Sequence, residues 1–191
     1  MKTIQIFFAL FFSLGLAPAQ TWLLEVKQSQ VDWTGKAAFS AYSLSGTLSP
    51  AWANFTLADG TMTSAQLTIN MKSLAASDKD LQKHLRSKDF FEVKKYPKAS
   101  FTLTEPVKLA PGEAKLSGRL TIKGETHPIQ FTALMAKEQG QWSLKGKMVI
   151  DRTKYGIYYN SPNFFDNLKG QAIADEFELA FDLRFSPSPQ P

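Results

Sequence analysis

Apolar and polar residues alternate with a period of two over most of this chain, and the longest run stands near its end. Phe177, Leu179, Phe181, Leu183 and Phe185 fall on one face; Glu176, Glu178, Asp182 and Arg184 fall on the other, with Ala180 among them. Successive side chains of a β-strand point to opposite faces, so such a run has one dry face and one wet face. The pattern recurs in Ala65, Leu67, Ile69 and Met71, then in Leu116, Gly118, Leu120 and Ile122. It returns in Ile129, Phe131, Ala133 and Met135, and in Trp142, Leu144, Gly146, Met148 and Ile150. Phe101 and Leu103 alternate with Ser100, Thr102 and Thr104.

Turn residues separate the runs. Asp59-Gly60 tolerates the positive φ of a tight hairpin, and Lys123-Gly124 and the segment Glu138 to Gln141 read the same way. Strands are expected at about 22–34, 44–58, 61–73, 98–106, 114–123, 127–138, 141–151 and 171–186, with a bend near Pro50 because proline cannot donate to a ladder. One segment leaves the rhythm. Ser77 can cap a helix over about 78–86, Asp78 and Asp80 suit its positive end, and Leu81 and Leu85 make a small apolar stripe. Residues 154–169 are aromatic-rich without a period and read as a long loop that covers an opening. Eight hairpin-linked strands are enough to close into a barrel. An open two-sheet sandwich gives the same periodicity.

The ends set the expected domain limits and compartment. Lys2, an apolar run from Ile4 to Leu16 and the small residues of Ala17-Pro18-Ala19 have the form of a cleavable secretory leader over residues 1–19. The expected location is therefore periplasmic or secreted, with the domain over 20–186. Three prolines between Ser186 and Pro191 are expected to end the last strand and leave 187–191 disordered. There is no cysteine, so the fold has to stand on its apolar core, and thiol chemistry is excluded. Lys and Arg number 22 against 17 Asp and Glu, a formal charge of +5. That excess is spread along the chain. It offers no basic stripe for nucleic acid and is compatible with transient contact with a membrane surface.

Four stretches, taken in order, resemble the YceI family of lipid- and polyisoprenoid-binding-like domains. They are Val31-Asp32-Trp33-Thr34-Gly35-Lys36 with Leu44-Ser45-Gly46-Thr47; His84-Leu85-Arg86-Ser87-Lys88-Asp89-Phe90-Phe91-Glu92 with Tyr96-Pro97; Gly118 to Ile129; and Asp151-Arg152-Thr153-Lys154-Tyr155-Gly156-Ile157. The resemblance implies an all-β fold: a closed, antiparallel, eight-stranded, lipocalin-like barrel with the short helix at one end. It further implies an internal pocket for an isoprenoid, an isoprenoid quinone or a fatty acyl chain, with that lipid as ligand in place of any cofactor. A homodimer is compatible with the family. Members commonly carry a His shortly before the first Gly of the pattern, where Tyr42 and Ser43 stand here.

The candidate ligand-binding residues are the inward set: Trp33, Phe55, Leu67, Ile69, Phe101, Leu103, Leu120, Ile122, Phe131, Leu144, Met148, Phe177, Leu179 and Phe181, with Tyr155 from the long loop. They either line a cavity or fill the barrel, as small barrels often do. Gly118, Gly146 and Ala133 lie on the same face and are expected to leave room. Tyr155, Tyr158, Tyr159, Phe164 and Phe165 form either a lid or a static plug. His84 and Arg152 are candidates for contact with a head group. The structural alternatives are that His84 packs under the barrel end and that Arg152 pairs with Asp151 to pin the loop. His127, before Pro128, is expected to face solvent. Catalysis has little to build on: there is no Gly-x-Ser-x-Gly elbow, no His-Glu-x-x-His and no glycine-rich phosphate loop. The readings to compare are a binding barrel, an accessory scaffold, and an enzyme using His84, Asp151 or Arg152.

Overall fold

The alternating runs pair with their sequence neighbours, and the pairing closes on itself. In the computed structural model, which describes residues 19–189, the strands are β1 (Gln20–Leu24), β2 (Gln30–Ala37), β3 (Ser43–Ala58), β4 (Thr61–Ala76), β5 (Lys98–Leu103), β6 (Val107–Lys108), β7 (Gly112–Ile122), β8 (Glu125–Glu138), β9 (Gln141–Asp151) and β10 (Ile173–Pro187). Residues 1–18 of the expected leader and residues 190 and 191 of the expected tail lie outside the described residues. All pairings are antiparallel.

The ten strands occupy eight rows. β1 and β2 both lie between β3 and β10, as one row broken by the 3-10 turn Val26–Gln28. β5 and β6 both pair with β4 and form a second broken row. β2 joins β10, which closes the barrel and leaves no sandwich edge.

Local chemistry explains the register. The β3–β4, β7–β8 and β8–β9 hairpins turn on Asp59-Gly60, Lys123-Gly124 and Gln139-Gly140, all with positive φ. β3 bends as expected: its register with β4 shifts between Pro50 and Trp52. Helix α1 (Lys79–Leu85) follows β4, but its cap is Asp78 and not Ser77. Asp78 has extended backbone, and its carboxylate accepts from Leu81 N at 2.8 Å, where the helix dipole also favours negative charge. Arg86, just past the helix, donates to Leu74 O at 2.7 Å and Lys72 O at 2.9 Å, fastening α1 to the end of β4.

The last strand runs further than its prolines suggested. Pro187 pairs with Trp22, and Ser188 N donates to Thr21 O at 2.8 Å, so the residue after the proline supplies the bond that the proline cannot.

The two ends of the barrel differ. At the end away from α1, Trp22 stacks on Phe55 at 5.8 Å between centroids and Phe185 meets Phe55 edge-on at 5.1 Å. Phe55, Met62 and Met135 are each only 1% exposed there. Lys137 lies over the rings of Trp22 and Trp142. That end is packed shut.

Candidate functional site: an apolar cavity open at the helix end

Above the sealed floor the inward residues no longer fill the barrel. They enclose a cavity of about 350 Å3, within the ~300–1,000 Å3 of small-molecule sites. It runs from Phe55, Met62 and Phe185 at the floor to Tyr42, Leu44 and Leu81 at the helix end. Its exposed lining residues at that end are Lys36, Tyr42, Gly170, Gln171 and Glu176, which mark the mouth. The walls are almost wholly hydrocarbon and aromatic.

Glycines shape this space, though not in the way their positions suggested. Gly118 and Gly146 do not leave voids, because aromatic rings occupy the room over them. A Cβ at Gly146 would stand 2.7 Å from Phe181 Cζ and 2.8 Å from Thr132 O. One at Gly118 would fall on the Phe101 ring. Phe131 lies between these rings, edge-on to both, at 5.4 Å from Phe101 and 5.6 Å from Phe181. Bare Cα atoms thus let three large rings lie close to the wall, and the axis stays open. Trp33 does the same over Gly46 while its indole N–H donates to Ala75 O at 2.9 Å. Gly146→Trp would therefore strike Phe181 and the backbone.

The one charged side chain buried in the lining is Arg152, 4% exposed. It donates to Ala174 O at 3.0 Å, Ile157 O at 2.8 Å and Ile173 O at 3.0 Å, and its Nη2 lies 3.2 Å from Asp175 Oδ1. Its ionic partner is Asp175, not Asp151. The Asp151 carboxylate instead accepts from Thr153 N at 2.9 Å and Thr153 Oγ1 at 2.6 Å, capping the 3-10 turn Arg152–Tyr155. Burial lowers the Arg152 pKa below its ordinary value, with Asp175 and Asp151 opposing the shift. Between them these bonds fix both ends of the 156–174 segment.

The remaining candidates sort by place. Trp33, Phe55, Leu67, Ile69, Phe101, Leu120, Ile122, Phe131, Leu144, Met148, Phe177, Leu179 and Phe181 line the cavity. Leu103 is buried beside the lining. Tyr155 is 3% exposed but outside the lining, with His127 edge-on at 5.1 Å, so His127 is half-buried and not solvent-facing. A β8 position opposite Leu120 holds its ring over the 3-10 turn. Burial raises the Tyr155 pKa, and Asp151 adds to the shift. Tyr158, Tyr159, Phe164 and Phe165 are exposed and none lines the cavity.

His84 sits outside the lining too. Its Nε2 is 3.4 Å from Asp89 Oδ2, and Phe90 and Tyr159 meet its ring edge-on at 5.1 and 4.6 Å. His84, Asp151 and Arg152 each have separate partners and are not gathered into one site. Among the described residues, no three His, Asp or Glu side chains are grouped so as to hold a metal ion. Sequence periodicity missed the upper lining: Leu74, Leu81, Leu85, Phe90 and Phe91. The Leu81/Leu85 stripe was the available signal, since an apolar stripe on a helix over a barrel end has only the interior to face.

Residues 22–185 match the YceI-like domain. Protein YceI of Salmonella newport is 32% identical over 149 residues, covering 72% of this chain and 73% of its own. A UPF0312 protein of Photorhabdus laumondii is 42% identical over 77 residues, 40% of each chain. In fold, the chain is similar to Burkholderia cenocepacia BcnA, with a TM-score of 0.67, 24% identity, and coverage of 84% of this chain and 98% of that one. It is also similar to a polyisoprenoid binding domain from Saccharophagus degradans implicated in plant cell wall breakdown, with a TM-score of 0.64, 14% identity, and coverage of 87% and 98%.

Proposed function

The chain belongs to the YceI-like domain family, and from that premise we propose that it is an exported binding protein holding a long-chain apolar or amphiphilic molecule, of isoprenoid, isoprenoid quinone or fatty acyl type, inside the barrel. One observation carries the reading. Inward-facing Leu67, Phe101, Phe131, Met148, Phe177 and Leu179 are only half-buried, while inward residues at the floor are almost fully buried. Side chains that point into a closed barrel and still have free surface face unfilled space. A hydrocarbon chain entering that space gains about 25 cal/mol for each Å2 removed from water, so polar contacts are not needed for affinity. The binding-domain likeness from Saccharophagus degradans supports the ligand class.

The apparent head-group residues take other roles in this reading. Arg152 anchors the loop, since its guanidinium already serves three carbonyls and a carboxylate. His84 packs at the rim. The leader-like first residues support export to the periplasm or beyond the cell.

Organic extraction of the purified native protein, followed by mass spectrometry, tests the proposal. A long-chain species in roughly one-to-one amount is the expected result. A protein that yields none and takes up none when offered prenyl and acyl chains would overturn it in favour of a scaffold. Turnover of an amphiphile that is lost on changing His84 or Asp151 would overturn it in favour of an enzyme.

A further inference from the structure

Beside the cavity mouth stand large apolar side chains that the described residues leave largely exposed. Phe39, at the tip of the β2–β3 connection, is 75% exposed, and Tyr42 is 63% exposed. Phe164 and Phe165, on the 156–172 segment, are 54% and 51% exposed. These groups share one end of the barrel, because the connection and the segment are tied together. Ala38 N donates to Ala172 O at 2.9 Å, Ile173 N donates to Asn160 O at 2.9 Å, and Asn163 Nδ2 donates to Asp175 Oδ2 at 2.7 Å.

Charge is distributed unevenly along the same axis. The α1 region, residues 77–98, holds seven Lys or Arg against four Asp or Glu, and Lys36 stands exposed at the mouth. Residues 38–42 carry no charge at all, and residues 151–176 hold three cations against four anions. At the sealed end, segments 57–62, 104–115 and 137–142 together hold three cations against four anions. An uncharged tip at 38–42 and the exposed Phe164-Phe165 pair, beside a collar with net positive charge at α1 and Lys36, form the pattern of a surface that lies on a lipid interface: rings sit at head-group depth while lysines meet anionic lipid.

The geometry points to the helix end of the barrel as a docking surface for an anionic lipid bilayer, with Phe39, Phe164 and Phe165 entering the interface and the cavity mouth facing the membrane. This inference rests on the carrier reading for its purpose. A long apolar chain is nearly insoluble, and a mouth held against the bilayer lets it pass between cavity and membrane without crossing water. Docking itself needs no cargo and can be measured without it.

The test is vesicle co-sedimentation of the leaderless full chain and of its F39S/F164S/F165S variant, whose changed residues lie outside the cavity lining. Vesicles are either pure phosphatidylcholine or phosphatidylcholine with phosphatidylglycerol. Binding is expected on the anionic vesicles, weakened on zwitterionic ones and at high salt, and reduced about ten-fold or more by the triple substitution. The variant should keep its unfolding midpoint and its binding of a soluble acyl probe. Equal binding by variant and parent, equal binding to both vesicle types, or no vesicle binding at all would overturn the proposal. So would a concentration-dependent dimer abolished by the same substitution, since a second copy would then own the patch. If the L179W variant, with an indole set into its cavity, still docks while native protein yields no bound chain, docking stands and carriage falls.

Discussion

The ring of Phe181 lies directly over Gly146, its partner across the β9–β10 ladder, with Cζ 2.7 Å from where a Cβ would stand. The ring can lie against the wall only because the opposite residue has no side chain. Gly146→Ala should therefore destabilise the fold by about 1–3 kcal/mol, because Thr132 O and Ala133 Cα crowd the same spot and backbone cannot step aside. Gly170→Ala, with nothing within 4 Å, should stay within about 0.5 kcal/mol of the parent. Urea titration of both variants checks this.

Arg152→Met should cost about 3–5 kcal/mol, since it strands the Asp175 charge, the buried Ile157 carbonyl and two part-buried ones. Arg152→Lys should recover little, because one ammonium cannot reproduce the guanidinium fork. Faster amide exchange in residues 156–174 of both variants would locate the damage. Exchange unchanged from the parent would contradict the anchoring role.

The helix cap offers a discriminating pair. Asp78→Ala should cost about 1 kcal/mol by removing the acceptor for Leu81 N. Ser77→Ala should be close to neutral. A larger effect at Ser77 than at Asp78, measured by thermal unfolding, would contradict the assigned cap.

Burial raises the Tyr155 pKa in the fold. In both folded and unfolded chains the phenol is neutral below about pH 10, so its contribution to stability is full there. Above that pH the unfolded chain ionises first, and stability falls as pH rises towards the folded pKa. Urea midpoints between pH 8 and pH 11 should decline in the parent, and Tyr155→Phe should flatten part of that decline. A parallel decline in both proteins would contradict it.

Much of the barrel was legible because each hairpin carries its own signal. Period two set the faces, and Asp59-Gly60, Lys123-Gly124 and Gln139-Gly140 set the turns. The two broken rows were not legible, since a short 3-10 turn at Val26–Gln28 leaves the alternation on either side intact. The inward set was also readable, because a residue and its neighbour two places on share a wall. Whether that set enclosed space was not readable, because hollow and filled barrels need the same alternation. The answer lies in cross-strand pairs such as Phe181 with Gly146, where register decides whether a ring leans on the wall or into the axis. Leu103 was rightly placed inside by its alternation but is packed beside the cavity, whereas Tyr155 was placed in the site on character alone, and packing turned it towards His127 instead. Asp175, the partner of Arg152, was hidden by the 22 intervening residues that only the folded loop brings back.

The central claim is that the barrel interior is open space suited to an apolar chain, and ligand-linked stability measures it most directly. The unfolding midpoint of the parent and of Leu179→Trp would be followed as a long prenyl chain is added. The parent should gain about 2.7 kcal/mol when free ligand reaches one hundred times its dissociation constant. Leu179→Trp, which places an indole among Trp33, Met148 and the lumen, should fold and gain little. A parent that no prenyl or acyl chain stabilises, or a variant stabilised as strongly as the parent, would contradict the account.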